Sequence, residues 1–420
     1  MRGSCRRGQR IMRECQGIVM NNIAGGNYKD QEIYWQWLCS CPLLTRKEIS
    51  LLMDYFGGPK QLYEAPGSDL DLFRLTRGKW VGSLTSYKDS CSLDKNSSLL
   101  HDRGISFCSV KHPLFPRRLT QLPDCPFGIF YKGGLPDPGQ LSVAVIGSRR
   151  CTNYGTKMAA YLGCQLAKRH VQVISGMASG VDGMSQKACL EEGGRSYAVL
   201  GCGADICYPA ENNRLYSRLC QQGGVLSEYG PATPPLPANF PLRNRLIAGL
   251  ADAVVVVEAR RKSGSLITVD MALDQGKDVF AVPGRFGEET SYGCNHLIEQ
   301  GAQLLVSVDQ LLDEIGEKEN ILRPSSQILT AEQIFARRKQ EEQREHALIF
   351  GGQDHAAEEL SDQERCIYRS LGFDSKSFDQ LMDETGLPMM QLMQGLLALQ
   401  MKNYIQEVSR NRYIRAGMSA

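Results

Sequence analysis

The chain has 420 residues, of which 42% are hydrophobic and 22% are charged, and its formal net charge is +2. This length favours two or three domains, and this composition excludes a wholly disordered chain. A net charge so close to zero also excludes a generally basic nucleic-acid-binding surface, so any such binding must depend on local groups of cations. The apolar runs are shorter than the roughly 20 residues that a membrane helix requires.

The cysteines and the N-terminus indicate a reducing compartment. The 15 cysteines are scattered through a large chain, and the basic N-terminus is not followed by the apolar segment of a secretory signal. This pattern predicts free thiols and a cytoplasmic location. Residues 1–29 show no folding pattern and are left as an unassigned extension, which either belongs to the mature protein or precedes a later start at Met20.

The first elements in chain order are short helices, which predict a helical domain over residues 30–103. Tyr34–Cys39 and Thr45–Phe56 carry apolar residues at helical spacing, and Gly57-Gly58-Pro59 predicts the end of the second helix. Residues 104–140 are rich in proline and glycine, so we expect an extended connector there.

The pattern changes over residues 141–315, where short apolar runs alternate with stretches of helical periodicity. Strands that are apolar on both faces and alternate with helices are typical of a parallel sheet covered on both sides. The sequence therefore predicts an α/β domain with a Rossmann-like parallel sheet as its core. The predicted strands lie in LSVAVIG (141–147), VQVISG (171–176), SYAVLG (196–201), GVLSE (224–228), AVVVVEA (253–259), VFAVPG (279–284) and QLLVS (303–307).

The C-terminal part predicts a charged linker over residues 316–358 and a winged helix over residues 359–417. A capping box begins at Ser361, and Pro388 opens a third helix that ends near Lys402 and is followed by a hairpin. This third helix contains methionine, leucine and a single lysine, but no arginine. Because a base-reading helix needs polar or basic side chains, its apolar stripe favours core packing or a protein contact.

The most informative loop is GSRRCT, Gly147–Thr152, which links the first strand of the sheet to a helix. Ligands bind at the carboxyl ends of parallel strands, and a helix N-terminus attracts anions. Arg149 adds a planar group suited to phosphate, although a tight turn with a surface arginine fits the loop equally well. The glycine spacing matches neither a dinucleotide fingerprint nor a Walker loop, so no nucleotide cofactor is predicted.

Two later loops add candidates on the same side of the predicted sheet. Gly176 allows close approach of a phosphate or a backbone, whereas we expect Asp182 to cap the following helix. Cys202 and Cys207 have no further ligand nearby, so no metal site is predicted. Arg214 falls early in the next helix.

The segment NFPLRNR, at residues 239–245, places two arginines in the first turn of a helix. Cations there oppose the helix dipole, and a bound phosphate would explain them. Phe240 fits packing and base stacking equally well. The basic run that ends at Lys262 is usually a solvated face, but it also precedes a helix N-terminus.

Taken together, these loops resemble the DNA-processing protein A (DprA/Smf) family in motif and order. The flanking modules are similar to that family's helical domain of the sterile-alpha-motif (SAM) type and to its winged helix. The motifs are GSR at Gly147–Arg149, SGxAxGxD at Ser175–Asp182, GxGxDxxYP at Gly201–Pro209, LSE at Leu226–Glu228, FPxRNRxIA at Phe240–Ala248, EAxxxSGSLIT at Glu258–Thr268, FAVPG at Phe280–Gly284 and GxNxLIxxGA at Gly293–Ala302.

The resemblance implies a protein that binds single-stranded DNA and loads the RecA recombinase onto it during natural transformation. It implies a homodimer formed through the Rossmann-like domain, with no catalytic step and no cofactor. Many relatives have a histidine where this chain has Gln186, which further disfavours histidine chemistry. The predicted DNA contacts are Gly147, Ser148, Arg149, Thr152, Gly176, Arg214, Phe240, Arg243, Asn244, Arg245 and Lys262.

Two alternatives remain at this point. The chain could be a nucleotide-processing enzyme of the phosphoribohydrolase type, with Glu228 or Glu258 as acid or base, although it lacks that group's PGGxGT-type loop. It could also be a DNA-binding regulator that depends on the winged helix alone.

Overall fold

A computed structural model of the chain describes residues 28–41, 44–77, 80–319, 360–371, 376–409 and 411–415. The chain forms two compact units, Met1–Ile321 and Leu322–Ala420. Residues 1–27 of the unassigned extension, and all of the predicted linker beyond residue 319, lie outside the described residues. None of the described helices combines the length and the apolar character that crossing a membrane requires.

The first unit begins with a layer of helices packed around Trp37, Leu52 and Phe73. Thr45 forms a capping box with Glu48, and Gly57, at φ 81°, ends the second helix as predicted. The helices are α1 (Tyr28–Ser40), α2 (Arg46–Phe56), α3 (Pro59–Glu64), α4 (Gly67–Arg77), α5 (Trp80–Ser90) and α6 (Leu93–Asp102).

A nine-stranded sheet follows, with the order β1-β2-β6-β5-β4-β3-β7-β8-β9. The seven predicted strands are β3 to β9, and they pair in parallel, which confirms the predicted core. The strands are β1 (Ser106–Ser109), β2 (Gly128–Gly133), β3 (Ser142–Ile146), β4 (Gln172–Ser175), β5 (Ser196–Leu200), β6 (Gly224–Ser227), β7 (Ala253–Val256), β8 (Asp278–Ala281) and β9 (Gln303–Leu304). The helices between them are α7 (Arg117–Thr120), α8 (Asn153–Lys168), α9 (Val181–Glu191), α10 (Asn213–Gln222), α11 (Asn239–Leu250), α12 (Gly264–Asp274), α13 (Tyr292–Glu299) and α14 (Val308–Glu319).

The stretch 104–140 differs from the predicted connector, because it adds two antiparallel strands to the sheet. β2 pairs with β6 through Phe130 and Ser227, and β1 pairs with β2. Phe130 is fully buried, so this strand belongs to the core. The prolines that suggested a connector lie between and beyond these short strands, where they interrupt no ladder hydrogen bond.

The core explains why the strands are apolar on both faces. Along β3, Val143 and Val145 face one hydrophobic cluster, and Ala144 and Ile146 face another. β3 lies between β4 and β7, so the strand order reverses there. In open α/β sheets this reversal creates a crevice at the carboxyl ends of the strands, which is where ligands bind.

The second unit has the winged-helix elements that the sequence predicts. A capping box joins Ser361 and Glu364, and Gly386 ends the second helix in the left-handed conformation. The antiparallel sheet has the order β10-β12-β11. Its elements are α15 (Asp362–Ser370), β10 (Lys376–Ser377), α16 (Phe378–Thr385), α17 (Met389–Met401), β11 (Ile405–Ser409) and β12 (Arg412–Arg415).

Helix α17 has two apolar faces. Leu392, Leu396 and Leu399 are buried in the core of the winged helix. The other face exposes five large apolar side chains, so the stripe in this helix is only partly core. The exposed residues are Met389, Met390, Met393, Leu397 and Met401.

Candidate nucleic-acid interface

The loops that follow β3, β4 and β7 contact one another at the carboxyl ends of the parallel strands. We call this surface the rim. A side chain at Gly147 would place its Cβ 2.8 Å from Val181 and 3.0 Å from the Glu258 carbonyl oxygen. At Gly180, whose φ is 77°, an added Cβ would lie 2.3 Å from the Ser148 carbonyl oxygen. Glycine at 147 and 180 therefore lets the loops pack directly on one another.

Arg149 and Phe240 form a cation–aromatic pair on the rim. Arg149 is exposed, and its guanidinium carbon lies 5.7 Å from the centroid of the Phe240 ring. Phe240 is half-buried, 5.3 Å from the ring of Tyr208, and packed against Gly201. A cation beside a partly exposed ring is the combination that binds phosphate and base in single-strand binders.

The N-terminus of α8 is occupied by a carboxylate side chain of the protein itself. The Thr152 amide donates to Glu258 Oε2 at 2.9 Å, and its hydroxyl donates to Oε1 at 2.5 Å. The Thr152 hydroxyl also accepts from the Gly155 amide, so it caps the helix. Glu258 is buried, and its charge is favourable at a helix N-terminus. The side chain and amide of Thr152 are thus engaged by Glu258, and a DNA contact through Thr152 stays a prediction.

Arg243 is buried and ties two strands to α11. Its guanidinium donates to the carbonyl of Gly176 at 3.2 Å and to the carbonyl of Val199, at the ends of β4 and β5. Burial lowers the pKa of Arg243 to about 10, and the charge of Asp182 opposes that change. Arg243 and the buried Gly176 both bond within the protein here, and DNA contacts through them stay predictions. Asn244 accepts from Arg243 at 3.3 Å and stays a predicted contact.

Asp182 is not the helix cap that the sequence suggested. Its Oδ2 accepts from the Gly176 amide at 3.1 Å, and the N-cap position of α9 is Gly180. Burial raises the pKa of Asp182, while Arg243 acts in the opposite direction. The carboxylate therefore supports the loop after β4.

Arg245 points away from Arg243, to the other side of α11. Its Nη2 lies 2.6 Å from Glu228 and its Nε 2.7 Å from Asp124. Residues two apart on a helix diverge by about 200°, so both arginines could not face one ligand. The Arg245 guanidinium is held in these internal ion pairs, and a phosphate contact through it stays a prediction.

The cations that are exposed at the rim are therefore not Arg243 and Arg245, which are buried. Arg214 is exposed at the start of α10, whose preceding turn bonds to the loop after β4 through Asn212 and the Met177 carbonyl at 2.9 Å. Lys262 is exposed in the loop after β7. Arg149, Arg214 and Lys262 are the predicted cations that the structure leaves open to solvent.

Both glutamates of the enzymatic alternative are engaged in structural contacts. Glu228 is paired with Arg245, and Glu258 accepts from Thr152. Gln186 is buried and bonds to the Met177 amide and to Ser196. Within the described ranges, no group of three or more histidine, cysteine or acidic residues could hold a metal ion. This geometry does not favour general acid–base chemistry at the rim.

Comparison with known proteins links this fold to one family. A family model described as DNA recombination-mediator protein A matches residues 106–316, which is half of the chain. A model described as DprA winged helix domain matches residues 352–409. The first match starts at β1, in agreement with the extended sheet.

Individual relatives show the same likeness. The DNA processing protein DprA of Streptococcus pneumoniae is 42% identical over 206 residues, covering 49% of this chain and 73% of that protein. Protein Smf of Escherichia coli is 42% identical over 202 residues, covering 48% of this chain and 54% of that protein. The X-ray structure of DprA from Streptococcus pneumoniae is 34% identical, with a TM-score of 0.59, and covers 67% of this chain and 97% of that chain.

Replacing Arg245 by alanine should destabilise the fold, because Glu228, whose side chain is only 18% exposed, would lose its ion-pair partner. We expect the free energy of unfolding to fall by about 3–5 kcal/mol. Arg149→Ala is the control, and should change it by less than about 0.5 kcal/mol because that side chain is exposed. Denaturant unfolding of both variants measures the difference, and equal stabilities would show that Arg245 has no structural role.

Proposed function

The chain belongs to the DNA recombination-mediator protein A (DprA/Smf) family, and from that membership we propose that it binds single-stranded DNA along the rim. The observation that carries the proposal is the exposed Arg149 guanidinium on the face of Phe240, at the carboxyl ends of the parallel strands. The arginine supplies charge for a phosphate, and the ring supplies a surface for an unpaired base.

The exposed cations favour contacts to the sugar-phosphate chain over reading of the sequence. Arg149, Arg214 and Lys262 are side chains of loops or of a helix start. Contacts of this kind position a strand without specifying its bases. A partly exposed ring stacks only on an unpaired base, which disfavours duplex DNA as the ligand.

Within this proposal, the bound strand is handed to RecA during natural transformation. Phosphate contacts and a few stacked bases leave the hydrogen-bonding edges of the other bases free for a recombinase. The family supports the role of recombination mediator, whereas the RecA contact, the transformation role and the cytoplasmic location stay predictions. We expect no catalytic step, since Glu228 and Glu258 are both engaged within the protein.

We also propose a homodimer that forms through the β9 edge of the sheet. β9 is a two-residue edge strand, in which Leu304 is 42% exposed, and Val306, two residues later, is 71% exposed. Leu273 of α12 is exposed by 56%. An edge strand with exposed apolar neighbours favours association with a second copy.

The winged helix has a separate role in this proposal. Its helix α17 exposes methionine and leucine side chains rather than the polar groups that read a DNA groove. Flexible methionine side chains suit protein contacts. An accessory protein-binding role is therefore favoured over sequence-specific DNA recognition.

The test of the DNA site is Arg149→Ala, measured by fluorescence anisotropy with labelled oligothymidylate at several salt concentrations. Binding should weaken for all sequences alike, and the slope of log affinity against log salt should fall by about 0.7–1, since one phosphate contact is lost. Arg195→Ala is a matched control, because Arg195 is an exposed arginine just before β5, at the amino ends of the parallel strands. If both variants bind like the wild type, Arg149 contacts no phosphate.

The dimer is tested with Val306→Glu, which places a charge at the apolar edge beside β9. The molar mass from light scattering should fall from dimer to monomer, because a buried unpaired charge is unfavourable. Leu114→Glu is the control, since Leu114 is an exposed apolar residue, by 66%, in the loop between β1 and β2. A Val306→Glu protein that stays dimeric would place the interface elsewhere.

A further inference from the structure

The loops after β7 and β8 carry a second cation–aromatic pair on the rim. The Arg261 guanidinium carbon lies 5.3 Å from the centroid of the Tyr292 ring. Tyr292 is 42% exposed, and Phe286, six residues earlier in the chain, is fully exposed. One exposed ring needs no explanation, but the segment after β8 carries two, and the pairing of Arg261 with Tyr292 repeats that of Arg149 with Phe240.

These loops are fixed to one another by backbone hydrogen bonds. The Ala259 amide donates to the Thr290 carbonyl at 2.9 Å, and the Gly293 amide donates to the Ala259 carbonyl at 2.7 Å. Both bonds lie directly beside Arg260–Arg261 and Tyr292. The cation and the ring are therefore held by a rigid backbone.

This part of the rim is continuous with the first. Tyr154, in the first turn of α8, donates its hydroxyl to the Pro283 carbonyl at 3.1 Å and so joins the loop after β3 to the loop after β8. β7 lies between β3 and β8 in the sheet. The first stacking ring, Phe240, packs against Gly201 at the end of β5, and β5 is four positions from β8 in the sheet order. Four strand spacings are about 19 Å, which single-stranded DNA covers in about six nucleotides when its bases are stacked, so a ligand of four nucleotides does not reach both rings.

The charge of this region also suits a polyanion. Arg260 lies 3.9 Å from Glu289, which offsets part of its charge. Cations remain in excess over acids among the exposed residues of the two loops. The exposed charged side chains are Arg260, Arg261, Lys262, Arg285, Glu288 and Glu289.

We propose that Arg261, Tyr292 and Phe286 form a second base-stacking position for the same unpaired strand, beyond the position of Arg149 and Phe240. The inference rests on the proposed function and extends it, because it gives the bound DNA a path along the rim, which runs between the loop after β3 and the loop after β8. Bases bind there by stacking, and phosphates bind to the cations of the β7 loop.

The experiment measures the affinity of the full chain for oligothymidylates from about 4 to about 16 nucleotides, the range of single-strand site sizes. Phe286→Ala should weaken binding of the longest by between about fivefold and about a hundredfold, as loss of one stacked base predicts. Its effect should fade for the shortest, which fill only the first position. Because Phe286 is fully exposed, the variant does not endanger the fold.

Two further variants separate stacking from other apolar contacts. Phe286→Tyr keeps a ring face and should bind like the wild type, whereas Phe286→Leu should lose as much affinity as Phe286→Ala. If leucine suffices, or if the loss is the same at every length, the second stacking position is refuted. Arg149→Ala distinguishes the two claims. If it weakens binding at every length while Phe286→Ala has no effect, only the second position fails, and if Arg149→Ala also has no effect, the proposed function fails.

Discussion

The rim depends on the buried guanidinium of Arg243. Parallel strands leave carbonyl groups at their ends, and the Arg243 side chain donates to those of Gly176 and Val199. A buried charge is tolerated only when it is hydrogen-bonded and near an opposite charge, which Asp182 provides. This contact fixes the start of α11 against β4 and β5, and with it the position of Phe240, whose ring centroid lies 5.8 Å from the same guanidinium.

A division between inner and outer cations follows from that arrangement. Arg243 and Arg245 shape the rim from within, whereas Arg149, Arg214 and the β7 loop supply its exposed positive charge. The helix N-terminus of α8, which could bind a phosphate, is instead neutralised by Glu258. Local charge at the rim is thus compatible with a whole-chain net charge of only +2. Binding of a polyanion then depends on a few exposed side chains and is sensitive to salt.

Much of the fold could be predicted from the sequence, because the hydrophobic pattern is set by burial. The sequence runs that form β3 to β9 are apolar on both faces, and this pattern alone was enough to predict them as strands. β1 and β2 were missed because they are short and lie in a segment with many prolines. The two units also contain the capping boxes and helix-ending glycines that the sequence indicates.

The sequence predicted which loops form the site, but it did not predict in which direction their side chains point. Motifs show which loops carry arginines, but whether a side chain points inward depends on packing that local sequence does not contain. The spacing of Arg243 and Arg245 was an available signal, since residues two apart on a helix cannot share a face. Phe286 had no such signal, because a single aromatic residue in a loop has no periodicity.

Hydrogen–deuterium exchange of the full chain, with and without a saturating oligothymidylate, shows whether single-stranded DNA binds at the rim. We expect slower exchange in residues 147–152 and 201–209, at the carboxyl ends of the strands, and unchanged exchange at the amino ends of the strands, around residues 193–195. Protection confined to those amino ends or to the winged helix would refute binding at the rim.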